Sequence, residues 1–126
     1  MFPLAADAGI GLTPWSPLTR GKLTRDWDEK TTRTETDLIS QALYAQAKDR
    51  DRAVASVVAD LAAERGVPRA QVALAWVSGN PAVTAPIGGA IKQQHLDHAS
   101  ASFDLQLSAD ERAVEAPNLP RMPEGF

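Results

Sequence analysis

Residues 9–21 read GIGLTPWSPLTRG, and the fold turns on how this stretch is taken. The apolar run 10–15 is flanked by glycines and is short enough for one buried strand. Ser16-Pro17 ends it, because proline has no amide proton for a sheet ladder. A strand that stops at a hydroxyl and a proline, with Gly21 just beyond, feeds a loop that approaches something closely. Ligand sites at the carboxyl ends of barrel strands are built this way. An ordinary buried strand and turn would give the same local pattern.

Working outward, the next comparable signal is residues 83–90, VTAPIGGA, followed by Ile91-Lys92-Gln93-Gln94-His95-Leu96. Again an apolar run ends in glycines and leads into a helix, here beginning near Lys92. Glycines let a backbone come close to a phosphate, and a helix amino terminus offers free N–H groups and a positive dipole end. Two strands with such ends, separated by helices, predict neighbouring staves of a parallel barrel.

The rest of the chain supplies those helices. Residues 2–8 read as the last turn of a helix stopped by Gly9, so the chain looks truncated. Residues 17–36 are polar and show neither period; they read as a long loop in which Trp27 pins the loop to the body or covers a ligand. Residues 37–46 form a short helix with Leu38, Ala42 and Ala45 on one face. From Asp49 onward Val54, Val57, Val58 and Leu61 mark an amphipathic helix ended by Gly66. Pro68 then takes a first helical position, and 68–78 is apolar enough to be buried on most sides. Gly79-Asn80-Pro81 stops that helix. Residues 92–103 form a helix with Leu96, Ala99 and Phe103 inward. Asp104 to Leu107 connect it to a capping box, Ser108-Ala109-Asp110-Glu111, which opens a short final helix. The prolines at the end make 116–126 an irregular arm, and the whole of 1–126 reads as one domain.

Composition narrows the function. A net charge of −3 and a pI near 5.3 argue against nucleic-acid or anionic-membrane binding. Without cysteine there is no disulfide and no thiolate metal site, as suits a cytoplasmic protein. The opening residues lack the charged flank and apolar core of a signal peptide, and no run approaches a membrane span.

Taken together, GIGLTPWSPLTRGKLTR, AAERGVPRAQVALAWV, VTAPIGGAIKQQHLDHA and SADERAVEAP resemble the NADP(H)-dependent aldo-keto reductases over nearly the whole chain. The branch it is most similar to lies close to the voltage-gated potassium-channel β subunits. The resemblance implies an α/β fold: the C-terminal part of a (β/α)8 TIM barrel, comprising the last two strands, their helices and the C-terminal arm. A complete barrel takes about 250 residues. It also implies roles. Trp15, Ser16, Pro17, Leu18 and Gly21 match the segment that lines the nicotinamide end and wraps the pyrophosphate, with Arg25 adding charge. Ile87, Gly89, Ala90, Ile91 and Lys92 match the loop that meets the adenosine 2′-phosphate, with His95 and His98 on the following helix. A basic group there distinguishes NADP from NAD. Ile91 stands where relatives usually have Ser or Thr, His95 where many have Arg or Gln, and Ala99 where many have an adenine-binding Asn, which implies a weaker phosphate grip.

The family reduces aldehydes and ketones with an acid Tyr helped by Lys, Asp and His, all on earlier strands. Tyr44, the single tyrosine, matches none of them and reads as a partly buried helix residue. No catalytic residue is therefore assigned, and the chain alone is expected to be inactive. His95 and His98 have the spacing of a metal pair, yet no third ligand suggests itself.

Two other readings remain at this level. One is a non-catalytic interaction module that associates through exposed strand edges. The other is a helix-turn-helix across Gly66-Val67-Pro68. Its second helix offers only Arg69 and Gln71 to base edges, which argues against DNA.

Overall fold

The longest element follows from its composition. Lys48–Arg65, the helix we call α2 after the short α1 (Phe2–Asp7), is rich in alanine, with Asp49 and Asp51 in the first turn and Arg65 in the last, as the helix dipole favours. These elements come from a computed structural model that describes residues 1–29 and 48–114. The expected helix 37–46 with Tyr44, the second part of the 17–36 loop and the arm 116–126 lie outside the described residues. After α2 come α3 (Arg69–Ser78), α4 (Gln93–Ala101) and α5 (Ala109–Val114), with one 3₁₀ turn at Thr19–Gly21.

Both predicted glycine stops are real and share one geometry. Gly66 has φ +64, and the N–H groups of Gly66 and Val67 donate to the carbonyls of Ala63 and Ala62. Gly9 repeats the pattern at φ +65, with Gly9 and Ile10 donating to Ala6 and Ala5. This left-handed closure satisfies carbonyls that a helix end would otherwise leave open, and it is why a residue without Cβ stands there.

Between Gly66 and α3 the chain turns in two residues, which lays α3 back against α2. The core lies between them: Val58, Leu61 and Ala62 from α2, Val72, Ala73 and Ala75 from α3, closed by Leu107. Val58 and Val72 are fully buried, whereas Val54 and Val57 are half-buried, so the inward face of α2 is rotated toward Ala55, Val58 and Ala62. Leu18, Leu23, Val67, Trp76 and Leu105 flank this core. Pro68 is the N-cap of α3, with ψ 142, and not its first helical residue. A helix buried this far cannot serve as a recognition helix, and Arg69 is already bonded to Asp26 at 2.7 Å.

The capping box forms as read. Ser108 N–H donates to Glu111 Oε2 at 2.6 Å and Glu111 N–H to Ser108 Oγ at 3.2 Å. The same carboxylate receives Arg65 in two bonds, at 2.7 and 2.6 Å, tying α5 to the end of α2. The Arg65 guanidinium and then the Ser108 amide hold the Glu111 carboxyl down to about 2. Arg112 makes a second tie. Its guanidinium donates to the carbonyls of Leu107 and Gly79, while Trp76 Nε1–H donates to Arg112 O.

Two expectations need correction. The apolar face of the fourth helix is not inward: Leu96 is 55% and Phe103 67% exposed, and α4 ends at Ala101. Among the described residues α3 packs against α4, and the Leu96–Phe103 side meets no covering surface. Nor are the two strands extended ladders. They reduce to two parallel bridges, Leu12 with Val83 and Trp15 with Ile87. Pro14 and Pro86 have no amide proton to give, and a two-stranded parallel pair is weak without further neighbours.

The bridges are nonetheless in order. Leu12 N–H donates to Ala82 O and Thr84 N–H to Leu12 O, each at 2.8 Å; Ile87 N–H then donates to Pro14 O at 2.9 Å. Three residue steps separate Leu12 from Trp15, but four separate Val83 from Ile87. The second stretch therefore carries one extra residue, a bulge of the kind that re-aims a strand end.

Candidate functional site

Because the stretches are parallel, their carboxyl ends come to one edge, where Trp15 bridges Ile87. From that edge both candidate loops depart, 16–25 and 88–92. Both bridged side chains stay open, Trp15 at 66% and Ile87 at 53% exposure. An exposed tryptophan at a strand end is an expensive surface to leave to water.

The first loop is strained where it leaves the edge. Ser16, Thr19 and Arg20 all have positive φ, at 56, 48 and 56, followed by Gly21 at 92. Each left-handed residue other than glycine costs about 1 kcal/mol or more, and such strain persists only where surroundings over-determine it. Here Thr19 N–H donates to Ser16 O at 2.8 Å, Arg20 N–H to Ser16 Oγ at 3.2 Å and Gly21 N–H to Leu18 O at 2.8 Å. Pro17 and Leu18 are half-buried, and Leu18 anchors the turn on the core. The Arg25 guanidinium lies over Gly21, where a Cβ would stand 3.2 Å from its Nη2. The Arg20 guanidinium lies 5.6 Å from the centre of the Trp15 ring, and the Lys22 ammonium 4.3 Å from that of Trp27.

Further along, the loop is clipped to the helices. Asp26 pairs with Arg69 and Asp28 with Arg52, at 2.7 and 2.6 Å. With half-buried Trp27 they bound a cleft of about 280 Å³ that Arg25 also lines. Trp27 thus faces both this cleft and Lys22.

The second loop is barer. Gly89, Ala90, Ile91 and Lys92 are exposed, and at Gly88 and Gly89 no atom comes within 4 Å of the place a Cβ would take. Lys92, extended at φ −136 and ψ 150, is the N-cap of α4. His95 folds back over the loop, its Nδ1 accepting from Ile91 N–H at 3.4 Å. His98 is half-buried in the last turn. The structure thus joins Trp15 to Ile87, Gly21 to Arg25 and Ile91 to His95. The last backbone hydrogen bond between the two stretches, among the described residues, is Ile87 to Pro14.

Two features escaped sequence reading. Thr19 Oγ1 is buried without a hydrogen-bond partner among the described residues, and the left-handed turn at Thr19-Arg20 leaves no trace in composition, since neither residue type prefers it. The pairing of Asp26 and Asp28 with helix arginines was equally silent, because ion pairs 43 and 24 residues apart carry no local signal. No group of three His, Cys, Asp or Glu side chains comes together among the described residues. None of the described helices is long and apolar enough to cross a membrane.

Among the described residues, two parallel bridges open into a glycine-rich loop and a strained basic loop, backed by helices. The sequence pattern of the Aldo/keto reductase family matches residues 1–114, and the chain belongs to that family. It is 37% identical over 124 residues to versiconal hemiacetal acetate reductase of Aspergillus parasiticus, covering 96% of this chain and 36% of that protein. It is 39% identical to a putative aryl-alcohol dehydrogenase of Schizosaccharomyces pombe, with 95% and 34% covered. A probable voltage-gated potassium channel subunit beta of Arabidopsis thaliana is 32% identical, with 82% and 33% covered. The chain spans about a third of the length of these relatives. The family implies a TIM-barrel fold, of which the described residues contain helices and two bridges.

Proposed function

We propose that this chain is the part of an NADP(H)-dependent aldo-keto reductase that holds the cofactor. In this reading it forms the last two strands of a (β/α)8 barrel with their helices and C-terminal arm, in a cytoplasmic protein that reduces aldehydes and ketones to alcohols. The observation that carries it is the parallel Trp15–Ile87 bridge, which starts both loops from one edge.

The residues present fit the cofactor. Gly88 and Gly89 leave open backbone for a phosphate, Trp15 is two-thirds exposed with Arg20 over its ring, and Thr19 Oγ1 has no hydrogen-bond partner among the described residues. Trp15, Ser16, Pro17, Leu18, Gly21 and Arg25 would hold the nicotinamide and pyrophosphate side. Ile87, Gly89, Ala90, Ile91, Lys92, His95 and His98 would hold the 2′-phosphate side. When bound, the cofactor supplies the hydride. This chain's residues orient it and neutralise its charge: the exposed Lys92 ammonium meets the 2′-phosphate, and the Arg25 guanidinium the pyrophosphate. The proton that completes carbonyl reduction has no donor among these residues, because the acid Tyr and its Lys, Asp and His partners belong to earlier strands of the family.

The test is binding of NADPH and NADH to the chain and to Lys92→Ala. Wild type prefers NADPH, and the substitution weakens NADPH binding by about 1 to 3 kcal/mol, the range of a charge-assisted hydrogen bond. No preference, or one untouched by the substitution, refutes the assignment. With 4-nitrobenzaldehyde the chain alone is expected to consume NADPH no faster than a buffer blank; clear turnover would place the proton donor within it.

A further inference from the structure

We propose that His95 makes the choice between the phosphorylated and unphosphorylated dinucleotide depend on pH. The inference rests on the cofactor reading above and deepens it. His95 is half-buried near the start of α4, and its own N–H donates to Lys92 O at 3.0 Å. The ring therefore turns back over the loop, where Nδ1 accepts from Ile91 N–H. An imidazole nitrogen accepts only while it carries no proton, so this clasp requires a neutral ring with its proton on Nε2.

A second proton converts Nδ1 from acceptor to donor. Two donors then face each other, the clasp opens, and Ile91 N–H is released. The ring meanwhile becomes a cation three residues from Lys92. A freed amide and a new positive charge both favour a dianionic phosphate ester, while a ribose hydroxyl gains little from either. Histidine is the side chain whose charge ordinarily changes between pH 5 and 8. Few other charges surround the ring among the described residues. On α4 they are Asp97, engaged by Gln93 Nε2 at 3.0 Å, and His98. Just outside the helix stand Lys92 and Asp104. α3, the helix packed against α4, carries one charged side chain, Arg69, which is bonded to Asp26.

The experiment measures NADPH and NADH binding to the full chain at pH 8 and pH 6.5, in wild type and His95→Gln. The range stays above the second ionisation of a phosphate monoester, near pH 6. The ratio of NADPH to NADH affinity is expected to rise about fivefold to tenfold at the lower pH, the size of one added charge-assisted hydrogen bond. It should be flat in His95→Gln. In ¹⁵N-labelled protein without nucleotide, the Ile91 amide shift should follow the titration of the His95 ring. An NADPH preference that is the same at both pH values overturns the inference alone. So does a rise that survives in His95→Gln. Absence of any NADPH preference overturns the cofactor reading and this inference with it, while the Ile91 amide still reports independently whether the clasp titrates.

Discussion

Replacing Gly79 by alanine should destabilise the protein, although its backbone would welcome a side chain. At φ −77 and ψ −3 the residue is helical, and Gly→Ala at such a site ordinarily stabilises by about 0.4–1 kcal/mol through the unfolded chain. A Cβ here would stand 2.6 Å from Arg112 Nη1, 2.7 Å from Nη2 and 2.8 Å from Cζ. The obstacle is the end of a flexible side chain, so the guanidinium would leave and the backbone would stay. Leaving forfeits the bonds to Gly79 O and Leu107 O. Bonds from a charged donor are worth about 1.5–3 kcal/mol in a partly buried site, and water recovers part of that for half-buried Arg112. The net expectation is a loss of about 1–2 kcal/mol. In an Arg112→Ala background the obstacle is gone, and the same glycine substitution should stabilise by about 0.4–1 kcal/mol. Urea unfolding of the four proteins, followed by tryptophan fluorescence, gives the coupling. Additivity within about 0.5 kcal/mol would refute the reasoning, because residues in contact should couple and independent ones should not.

Ser78→Ala should stabilise the chain by roughly 1 kcal/mol, since Ser78 Oγ is buried at the end of α3 without a partner among the described residues and alanine is the better helix former; a lower urea midpoint would mean that the hydroxyl is satisfied. The Glu111 carboxyl sits at about 2, below its ordinary 4.5, so its contribution is fully present above pH 4.5 and is lost as pH falls toward 2. The melting-temperature gap between wild type and Glu111→Gln should therefore close across that window. A gap constant from pH 6 to pH 2 would show that the Arg65 pairing does not set the titration.

What sequence could tell depended on how local the cause was. Gly9 and Gly66 were legible because a left-handed helix stop has a chemical reason that glycine alone meets. Ser108 and Glu111 were legible because their partners lie three residues apart. The order of the two parallel stretches came from apolar runs with glycine ends. Leu96 and Phe103 were misplaced because periodicity reveals that a helix has an apolar face and not whether anything covers it. The partner of Gly79 is Arg112, 33 residues on, and nothing near either residue announces the other. At the candidate site, the parallel run of the two stretches to one edge was readable, whereas the strain at Ser16, Thr19 and Arg20 was not: it goes with backbone hydrogen bonds that only the folded turn brings together.

The unequal step between the bridges bears on how such a protein changes over generations. Side chains alternate along a strand, so three steps from Leu12 turn Trp15 to the opposite side, while four steps from Val83 would return Ile87 to the same side. The extra residue between Val83 and Ile87 thus works as a phase shift, and everything downstream inherits it, including the direction in which the Gly88–Gly89 backbone sets out. A point substitution in this segment alters one contact; gaining or losing one residue would rotate the whole downstream loop relative to its neighbour. Length here acts as a coarse dial on where the loop points, and residue identity as a fine one.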